Sequence, residues 1–395
     1  MTEHTSRAPV IIAARRTPIA TRGGRLAASH ADELAAAVLT AVHADAAALL
    51  GSAPELGDVV LGNCMGPGGN TARVAALRAG FDARVPGLTI DRQCGSGLAA
   101  IITAAEQIRA GDDRARLAGG VESASTAPER RAAGVAYARA AFAPDGLPDP
   151  DMGPAAQYLA ERGGITRERQ DAYAARSHHR TRAVTDGAAF AAELVPVADA
   201  AGAESVRADD APRRAPETLL GRFPPLHAAQ TPGGIPSVTA GNSCRISDGA
   251  AAVLLVPEHA RGDAPGLRIR GTATVGVDPS TPGIGPVPAV ERLLADAGVA
   301  LDDVRAIEIV EAFAAQTLAV LDALGLAAGM TVDERVNADG GALASGHPWG
   351  ASGAIAVVRL FSRLVRGGAP AGSLGIATAA IGGGMGVAVL VEVVR

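Results

Sequence analysis

Residues 94–111 read CGSGLAAIITAAEQIRAG, and residues 349–368 read WGASGAIAVVRLFSRLVRGG. Each segment begins with small residues, continues as an apolar run of helical length and ends at glycine. Helices of this apolar kind are usually buried between layers. A strand pattern that ends in glycines follows each copy, at residues 118–120 and 381–384. This weak internal repeat predicts two related halves whose buried helices begin near one central site.

Short β-rich runs alternate with Ala-rich segments of helical length over most of the chain. Such alternation predicts an α/β fold with a largely buried sheet. The predicted strands are Val10–Ala13, Val59–Leu61, Gly87–Ile90, Ala252–Val256, Ala306–Ile309 and Val387–Val394, and the predicted helices are Asp32–Leu50, Gly97–Arg109 and Arg167–Val184. From about Ser123 to Ser237 the alternation stops, which predicts an inserted loop domain.

Composition excludes several classes of function. The 395 residues are 48% hydrophobic and carry a formal net charge of −5 at pH 7, so we expect a globular protein with no attraction for nucleic acid and none for an anionic membrane. All 36 basic residues are arginine, and the lack of a lysine amine excludes Schiff-base chemistry and a Walker-type phosphate loop. Three cysteines and an N-terminus without a signal-peptide pattern predict free thiols and a cytoplasmic location.

Cys94 is the first candidate for chemistry. It follows a strand-like run and precedes an apolar helix, so its sulfur is expected near a helix N-terminus. There the backbone N–H groups and the helix dipole favour a thiolate and lower the thiol pKa. From these residues alone, a nucleophile and a buried structural cysteine remain equally good interpretations. Cys64 and Cys244 are interpreted as structural.

His347 and Gly382 are the second and third candidates. His347 stands between Gly346 and Pro348, so it lies in a rigid turn rather than inside a helix. If the halves are related, His347 faces Cys94 and activates its thiol; the alternative is a turn histidine that hydrogen-bonds the backbone. The glycines from Gly382 onward could present N–H groups to an oxyanion, or could simply mark a turn. No Cys/His cluster has metal-ligand spacing.

Taken together, these segments resemble the thiolase family from end to end. The motifs that carry the resemblance are VIIAARRTPI, GNTARVAALRAG, DRQCGSGLAA, AGGVES, DMG, VTAGNSCRISDGAAAVLL, GPVPAVERLL, VEAFAAQ, VNADGGALASGHPWGASGA and AIGGGMG, in family order. The resemblance implies a five-layered αβαβα thiolase fold of two similar halves. The N-terminal half would comprise residues 1–122 and 238–262, the loop domain residues 123–237, and the C-terminal half residues 263–395.

The resemblance also implies roles for individual residues. Cys94 would carry the acyl group, His347 would act as its base, and the backbone N–H groups of Cys94 and Gly382 would form the oxyanion hole. The loop domain would cover the pantetheine arm of an acyl-CoA or acyl-carrier thioester, with no bound metal or organic cofactor. The family implies a homodimer or homotetramer, with an accessory protein subunit as a further option. The implied substrate-binding residues are Met152, Ala240, Ser243, Cys244, Arg245, Ala312 and Phe313.

Two catalytic positions of the family are altered here. The second cysteine, which transfers a proton at the substrate α-carbon or on the CoA thiol, is Ala380, and alanine cannot transfer a proton. The asparagine of the family's Asn-Glu-Ala-Phe motif, which helps to hold a water, is Val310. Arg245 stands where the family has glycine, and its bulk and charge are expected beside the pantetheine tunnel.

Three hypotheses follow. The first is a divergent acyltransferase, suited to specialised metabolism, in which acyl-Cys94 reacts with an acceptor that needs no strong base. The second is an ordinary 3-oxoacyl-CoA thiolase or acetyl-CoA acetyltransferase, in which a water or Cys244 replaces the lost acid. The third is a non-catalytic subunit that binds an acyl ligand or supports a partner enzyme.

Overall fold

The computed structural model describes residues 7–185, 187–198, 205–212 and 217–395. Its helices are α1 (Ala31–Leu50), α2 (Thr71–Arg78), α3 (Ser96–Arg109), α4 (Met152–Gly163), α5 (Arg167–Val184), α6 (Ala188–Ala191), α7 (Glu217–Leu220), α8 (Pro286–Ala297), α9 (Ala314–Ala323), α10 (Ala342–Ser345) and α11 (Trp349–Leu360). Short 3₁₀ turns lie at Gln93–Gly95, Glu258–Ala260, Pro282–Ile284 and Leu301–Asp303, and a π-helical turn at Phe361–Arg366 extends α11.

The strands include every run that the sequence pattern predicts. They are β1 (Pro9–Arg16), β2 (Ala20–Thr21), β3 (Leu56–Gly62), β4 (Gly87–Ile90), β5 (Ala115–Glu122), β6 (Arg130–Ala132), β7 (Val135–Tyr137), β8 (Val197–Ala198), β9 (Ser205–Val206), β10 (Ser247–Pro257), β11 (Gly266–Gly276), β12 (Val304–Ile309), β13 (Ala327–Ala328), β14 (Thr331–Val332), β15 (Leu374–Ile381) and β16 (Met385–Val394). The three predicted helices are also confirmed, as α1, α3 and α5.

Among the described residues, ten strands form one mixed sheet in the order β12-β15-β16-β11-β1-β10-β5-β3-β4, with β2 paired to β10. The two halves of this sheet meet where β1 pairs with β11 over only two residue pairs, Val10 with Arg268 and Ile11 with Leu267. The long strand β10 comes after the inserted segment, yet it lies between β1 and β5. The insertion therefore leaves and re-enters the N-terminal half.

Alternating side chains along the strands create the layers. In β10, Val253 and Leu255 face the central helices α3 and α11, whereas Ala252 and Leu254 face α1 and α2 on the outside. In the other half, alternate residues of β16 face the same central helices, and the rest face α8 and α9. The order helix, sheet, helix, sheet, helix gives the five αβαβα layers that the resemblance implies.

The two central helices pack with their backbones almost in contact. A Cβ atom built on Gly97 of α3 would lie 2.7 Å from the backbone nitrogen of Ala354 of α11. One on Gly353 would lie 2.8 Å from the backbone nitrogen of Leu98. Only glycine fits such a crossing. Because both helices cross near their first turns, the turns that precede them, with Cys94 and His347, are brought together.

Helix α1 has the length and the apolar composition of a membrane span. One face of it packs against the sheet, where Leu34, Val38, Leu39 and Val42 are fully buried. Its first turn carries Asp32 and Glu33. These contacts are those of a helix in the outer layer of the fold.

A buried ion cluster attaches the inserted segment to both halves. The Glu193 carboxylate, which has no exposed surface, accepts hydrogen bonds from Arg16 at the end of β1 (2.7 Å) and from Arg359 of α11 (2.7 Å). The ring of Phe190 lies under both guanidinium groups, at 4.9 and 4.8 Å from their centres. Asp209 gives Arg16 a second carboxylate. The cluster therefore fixes residues 190–193 on the two halves at once.

Candidate active site

Cys94 lies on the 3₁₀ turn Gln93–Gly95, between β4 and α3. The turn is held from both sides by Ser96, whose hydroxyl accepts from the Arg92 N–H (2.7 Å) and donates to the Gln93 carbonyl (2.7 Å). Gln93 has a φ of 47°, a left-handed conformation that non-glycine residues seldom adopt and that often marks a functional site. The turn presents the sulfur at the start of a buried helix.

His347 faces this sulfur from the other half. Its Nε2 lies 3.3 Å from the Cys94 Sγ, and its Nδ1 lies 2.6 Å from the Ser352 hydroxyl. That hydroxyl donates its hydrogen to the Pro348 carbonyl (2.9 Å), so it must accept from Nδ1. Nδ1 therefore carries the ring hydrogen, and Nε2 is free to take the thiol proton. The His347 N–H donates to the Arg245 carbonyl (2.8 Å), which fixes the backbone of this turn.

Burial keeps both members of the pair neutral at rest. It raises the pKa of Cys94 to about 12 and lowers the pKa of His347 to about 4. The thiol therefore needs an adjacent base to become a nucleophile, and the neutral imidazole supplies it. The imidazole can take the thiol proton as the sulfur attacks, so that no proton has to be exchanged with solvent.

The predicted oxyanion-hole residues lie on two turns that pack together. Gly382 begins the hairpin between β15 and β16. The preceding residue, Ile381, fits so closely against Gly95 that a Cβ on Gly95 would lie 2.5 Å from its Cδ1. Cys94 and Gly382 also line the same cavity. Their backbone N–H groups thus remain the predicted donors to an oxyanion.

This cavity has a volume of about 510 Å³ and is mostly apolar. It is lined by Asp91, Gln93, Cys94, Arg130, Tyr137, Arg139, Ala140, Phe142, Met152, Leu226, Ser243, Cys244, Ile246, Ala312, Phe313, Gln316, His347, Trp349, Ala380 and Gly382. The cavity therefore brings together the pair of Cys94 and His347, the altered position 380 and five of the predicted substrate-binding residues: Met152, Ser243, Cys244, Ala312 and Phe313. The inserted segment supplies part of the cover, since the Phe142 ring packs on Gly382.

Three residues of the predicted site lie outside this lining. The Arg245 guanidinium donates to the Ala211 carbonyl (2.7 Å) and to the Thr21 hydroxyl (3.4 Å), so the expectation of its charge beside the tunnel needs correction. Ala240 is exposed on a turn. Val310 is buried in the central core and faces a separate cavity of about 40 Å³.

The structure adds residues that the motif reading missed. Gln316 lines the cavity and is buried; its Nε2 donates to the Gly283 carbonyl (3.1 Å), but its Oε1 has no partner among the described atoms. Gln316 lies in the first turn of the helix that follows Phe313. A polar residue so close to a predicted substrate-binding residue could have revealed it. Trp349, the first residue of α11, could have been found from its closeness in sequence to His347.

Cys64 and Glu122 support the site from behind. The Cys64 thiol donates to the Gln93 carbonyl (3.2 Å). Glu122 is buried and accepts from the backbone N–H groups of Cys64 (3.1 Å), Met65 (2.9 Å) and Gly350 (3.0 Å). Burial raises the pKa of Glu122 to about 7. Through this carboxylate, the loop after β3 is joined to the first turn of α11.

Comparison with known proteins agrees with the resemblance. The profile of the thiolase N-terminal domain matches residues 9–259, and that of the thiolase C-terminal domain matches residues 264–393. The chain is 39% identical over 389 residues to a Bacillus subtilis protein named "Putative acetyl-CoA C-acetyltransferase YhfS", with 97% of this chain and 99% of that protein covered. It is 40% identical over 395 residues to "Putative acetyl-CoA C-acetyltransferase VraB" of Staphylococcus haemolyticus, with 97% and 98% covered.

Solved structures share the whole fold. The Bacillus anthracis acetyl-CoA acetyltransferase superposes with a TM-score of 0.87 at 36% identity, covering 99% of this chain and 100% of that one. Human mitochondrial 3-ketoacyl-CoA thiolase superposes with a TM-score of 0.85 at 32% identity, with the same coverage.

Proposed function

From the premise that this chain belongs to the thiolase family and is an acyltransferase, we propose that it carries an acyl group on Cys94 and passes it to an acceptor molecule. The donor is an acyl-CoA or a carrier-bound acyl thioester. The observation that carries the proposal is the 3.3 Å contact between the Cys94 Sγ and the unprotonated Nε2 of His347. A buried neutral thiol with a general base in contact is the arrangement that covalent acyl transfer requires.

The cavity supports a thioester donor. Its size falls in the ordinary range for small-molecule sites, and its walls are mostly apolar. The unpartnered Oε1 of Gln316 offers an acceptor to an N–H group of a ligand, and the pantetheine arm contains amide N–H groups. A buried acceptor left without a donor is costly, so a ligand that supplies one gains affinity.

The acceptor is the finer part of the proposal. Because Ala380 cannot transfer a proton, an amine, a hydroxyl, an electron-rich aromatic carbon or a decarboxylating β-keto acid suits the second half-reaction, and specialised metabolism is a natural setting. A second candidate is acetyl transfer to the α-carbon of another acetyl-CoA, as the names of the relatives suggest. The observation that favours it is the second thiol in the cavity, Cys244.

We also propose that the protein is a homodimer joined at the edge of its sheet. Strand β4 is the outermost strand of the N-terminal half, and Leu88 on it is 40% exposed. The adjoining helix α2 exposes Val74 and Leu77 to 50% and 48%. An unpaired edge strand beside an exposed apolar surface favours pairing with another chain. Sedimentation equilibrium is expected to give the mass of two chains for the wild type. Leu88→Arg is expected to lower this mass toward that of a single chain. A wild type with the mass of a single chain would reject this interface.

Mass spectrometry of the intact protein tests the acyl-Cys94 proposal. After incubation with a panel of acyl-CoA esters, we expect one acyl group per chain on the wild type and none on Cys94→Ala. Cys64→Ser is the matched control, because the serine keeps a hydroxyl donor toward the Gln93 carbonyl; it is expected to acylate like the wild type. Adducts that persist in Cys94→Ala, or no adduct with either CoA or carrier-protein thioesters, would refute the proposal.

A further inference from the structure

Cys244 lies in the wall of the active-site cavity, beside the catalytic pair. Its N–H donates to the Ala312 carbonyl (3.0 Å), and the neighbouring Ser243 forms a β-bridge with Phe313. On its other side, the Arg245 carbonyl accepts from the His347 N–H (2.8 Å). The backbone of Cys244 is therefore fixed between the Phe313 loop and the base that activates Cys94.

The Cys244 thiol has no hydrogen-bond partner within the part of the chain that the structure describes. The contrast is with Cys64, whose thiol donates to the Gln93 carbonyl (3.2 Å) and lies 3.4 Å from the Ser96 hydroxyl. An S–H group that faces a ligand cavity and has no protein partner is available to a bound molecule. Cys244 has a position that a substrate can use, whereas Cys64 is engaged in the fold.

The other ionisable groups of the cavity wall are committed elsewhere. Asp91 accepts from the Gln93 backbone N–H (2.9 Å) and side-chain amide (3.1 Å). Arg130 donates to the Cys64 carbonyl (2.5 Å), and Arg139 pairs with Asp149 and Asp151. Tyr137 is 39% exposed on the β6–β7 hairpin, so water competes for its hydroxyl. His347 takes the Cys94 proton only during acylation. This leaves Cys244 as the proton carrier of the described lining that is neither bound to another group nor as exposed as Tyr137.

We propose that Cys244 is a catalytic residue that gives or removes the proton at the α-carbon of the substrate, and that the acceptor in acyl transfer is accordingly the α-carbon of a second thioester. This inference rests on the proposed acyl-Cys94 function and decides between its two candidate acceptors in favour of the second, the α-carbon. The Cys244 thiol and the turn that contains Ala380 and Gly382 line the same cavity.

The proposed steps balance in protons and electrons. In cleavage of a β-keto thioester, the Cys94 sulfur bonds to the keto carbon while its proton passes to His347. The bond between the α-carbon and the keto carbon breaks, and the electron pair left on the α-carbon takes the Cys244 proton. The thiol of CoA then returns a proton to Cys244 and displaces the Cys94 sulfur, which recovers its proton from His347. Condensation is the reverse, and no oxidant is needed.

The state of the Cys244 thiol suits this direction of transfer. Burial, and to a smaller extent the neighbouring Cys94, raises the pKa of Cys244 above its ordinary value, so the group is a neutral thiol at rest. A carbanion next to a thioester is far more basic than any thiolate, so even a weakly acidic thiol can protonate it.

Two measurements on the full chain test the inference. The first is acylation of Cys94 by acetyl-CoA, followed by intact mass. The second is proton transfer at carbon, followed as thiolysis of acetoacetyl-CoA and as deuterium uptake from D₂O into the methyl group of acetyl-CoA. In Cys244→Ala and Cys244→Ser we expect acylation within about threefold of the wild type, but thiolysis and deuterium uptake reduced by about 10²-fold or more.

A rescue and a control separate proton transfer from packing. Ala380→Cys in the Cys244→Ala background restores a thiol to the same cavity and is expected to recover at least tenfold in thiolysis. Met330→Ala, at a side chain that is 64% exposed and outside the cavity lining, is expected to stay within about threefold of the wild type in every assay. Deuterium uptake that is absent from the wild type, or unchanged in Cys244→Ala, would overturn the role of Cys244 while acyl-Cys94 stands. A wild type that never acylates would instead overturn the proposed function.

Discussion

Asparagine in place of His347 is expected to lower the rate of Cys94 acylation by about 10²–10⁴-fold, the usual contribution of a positioned general base. The buried thiol has a pKa raised to about 12, so without a base almost none of it is thiolate at neutral pH. Asparagine can still hydrogen-bond in the same space, so the loss reports proton transfer. Single-turnover acylation followed by intact mass measures it, and Ser352→Ala, which leaves the imidazole in place, is expected to lose less.

The dependence on pH distinguishes a base from a spacer. His347 is active only when neutral, and burial lowers its pKa to about 4, so it remains neutral through the whole range above that value. Wild-type acylation is therefore expected to be nearly constant from about pH 5 to about pH 9 and to fall only toward pH 4. In His347→Asn, acylation should instead rise about tenfold per pH unit as Cys94 ionises alone. A wild type with that slope would show that His347 does not take the thiol proton.

Much of the fold was predictable because its layers impose simple periods on the sequence. Short apolar strands alternate with long Ala-rich helices, and the two most apolar helices are the ones buried between the sheets. Gly97 and Gly353, where those helices cross, stand within the two repeated segments, residues 94–111 and 349–368. The joining of β1 to β11 was not predictable, because two residue pairs leave no pattern in the chain.

The contact between Cys94 and His347 was predictable for the same reason, since each precedes one of the crossing helices. The direction of the Arg245 side chain was not, because its carbonyl partner Ala211 belongs to the inserted segment, far away in sequence. The direction of the Val310 side chain could have been predicted from the alternation of residues along the strand. Val310 continues the alternation of Ala306 in β12, and both face the central core, so its side chain points away from the cavity. From its own segment Cys244 was interpreted as structural, because nothing in a sequence reveals a thiol left without a partner. Only the family resemblance placed it among the substrate-binding residues and offered it as a replacement for the lost acid.

The largest effect on stability is expected from Glu193→Gln, at about 3–5 kcal/mol. The substitution keeps size and shape but removes the charge that Arg359 and Arg16 share, in a place without exposed surface. Arg16 retains Asp209, whereas Arg359 loses its close carboxylate: Asp339 lies 3.9 Å away, and the nearby Glu308 is paired with Arg363. A buried guanidinium without a close counter-ion costs more than the original pair contributed. Denaturant unfolding measures the loss as a lower midpoint at unchanged slope.

Matched variants show whether burial is the cause. The exposed pair of Glu129 and Arg131 has the same 2.7 Å separation, yet Glu129→Gln is expected to cost less than about 1 kcal/mol because water screens it. Adding Arg359→Met to Glu193→Gln should recover part of the loss, since it removes the stranded charge. Burial alone would raise the pKa of Glu193, but Arg359 and Arg16 hold it below its ordinary value. The carboxylate therefore stabilises the fold at neutral pH and loses that effect as the pH falls through the lowered pKa. The difference in free energy of unfolding between wild type and Glu193→Gln should accordingly become smaller in acid. A difference that stays constant with pH would show that the shape of the side chain, and not its charge, holds the inserted segment in place.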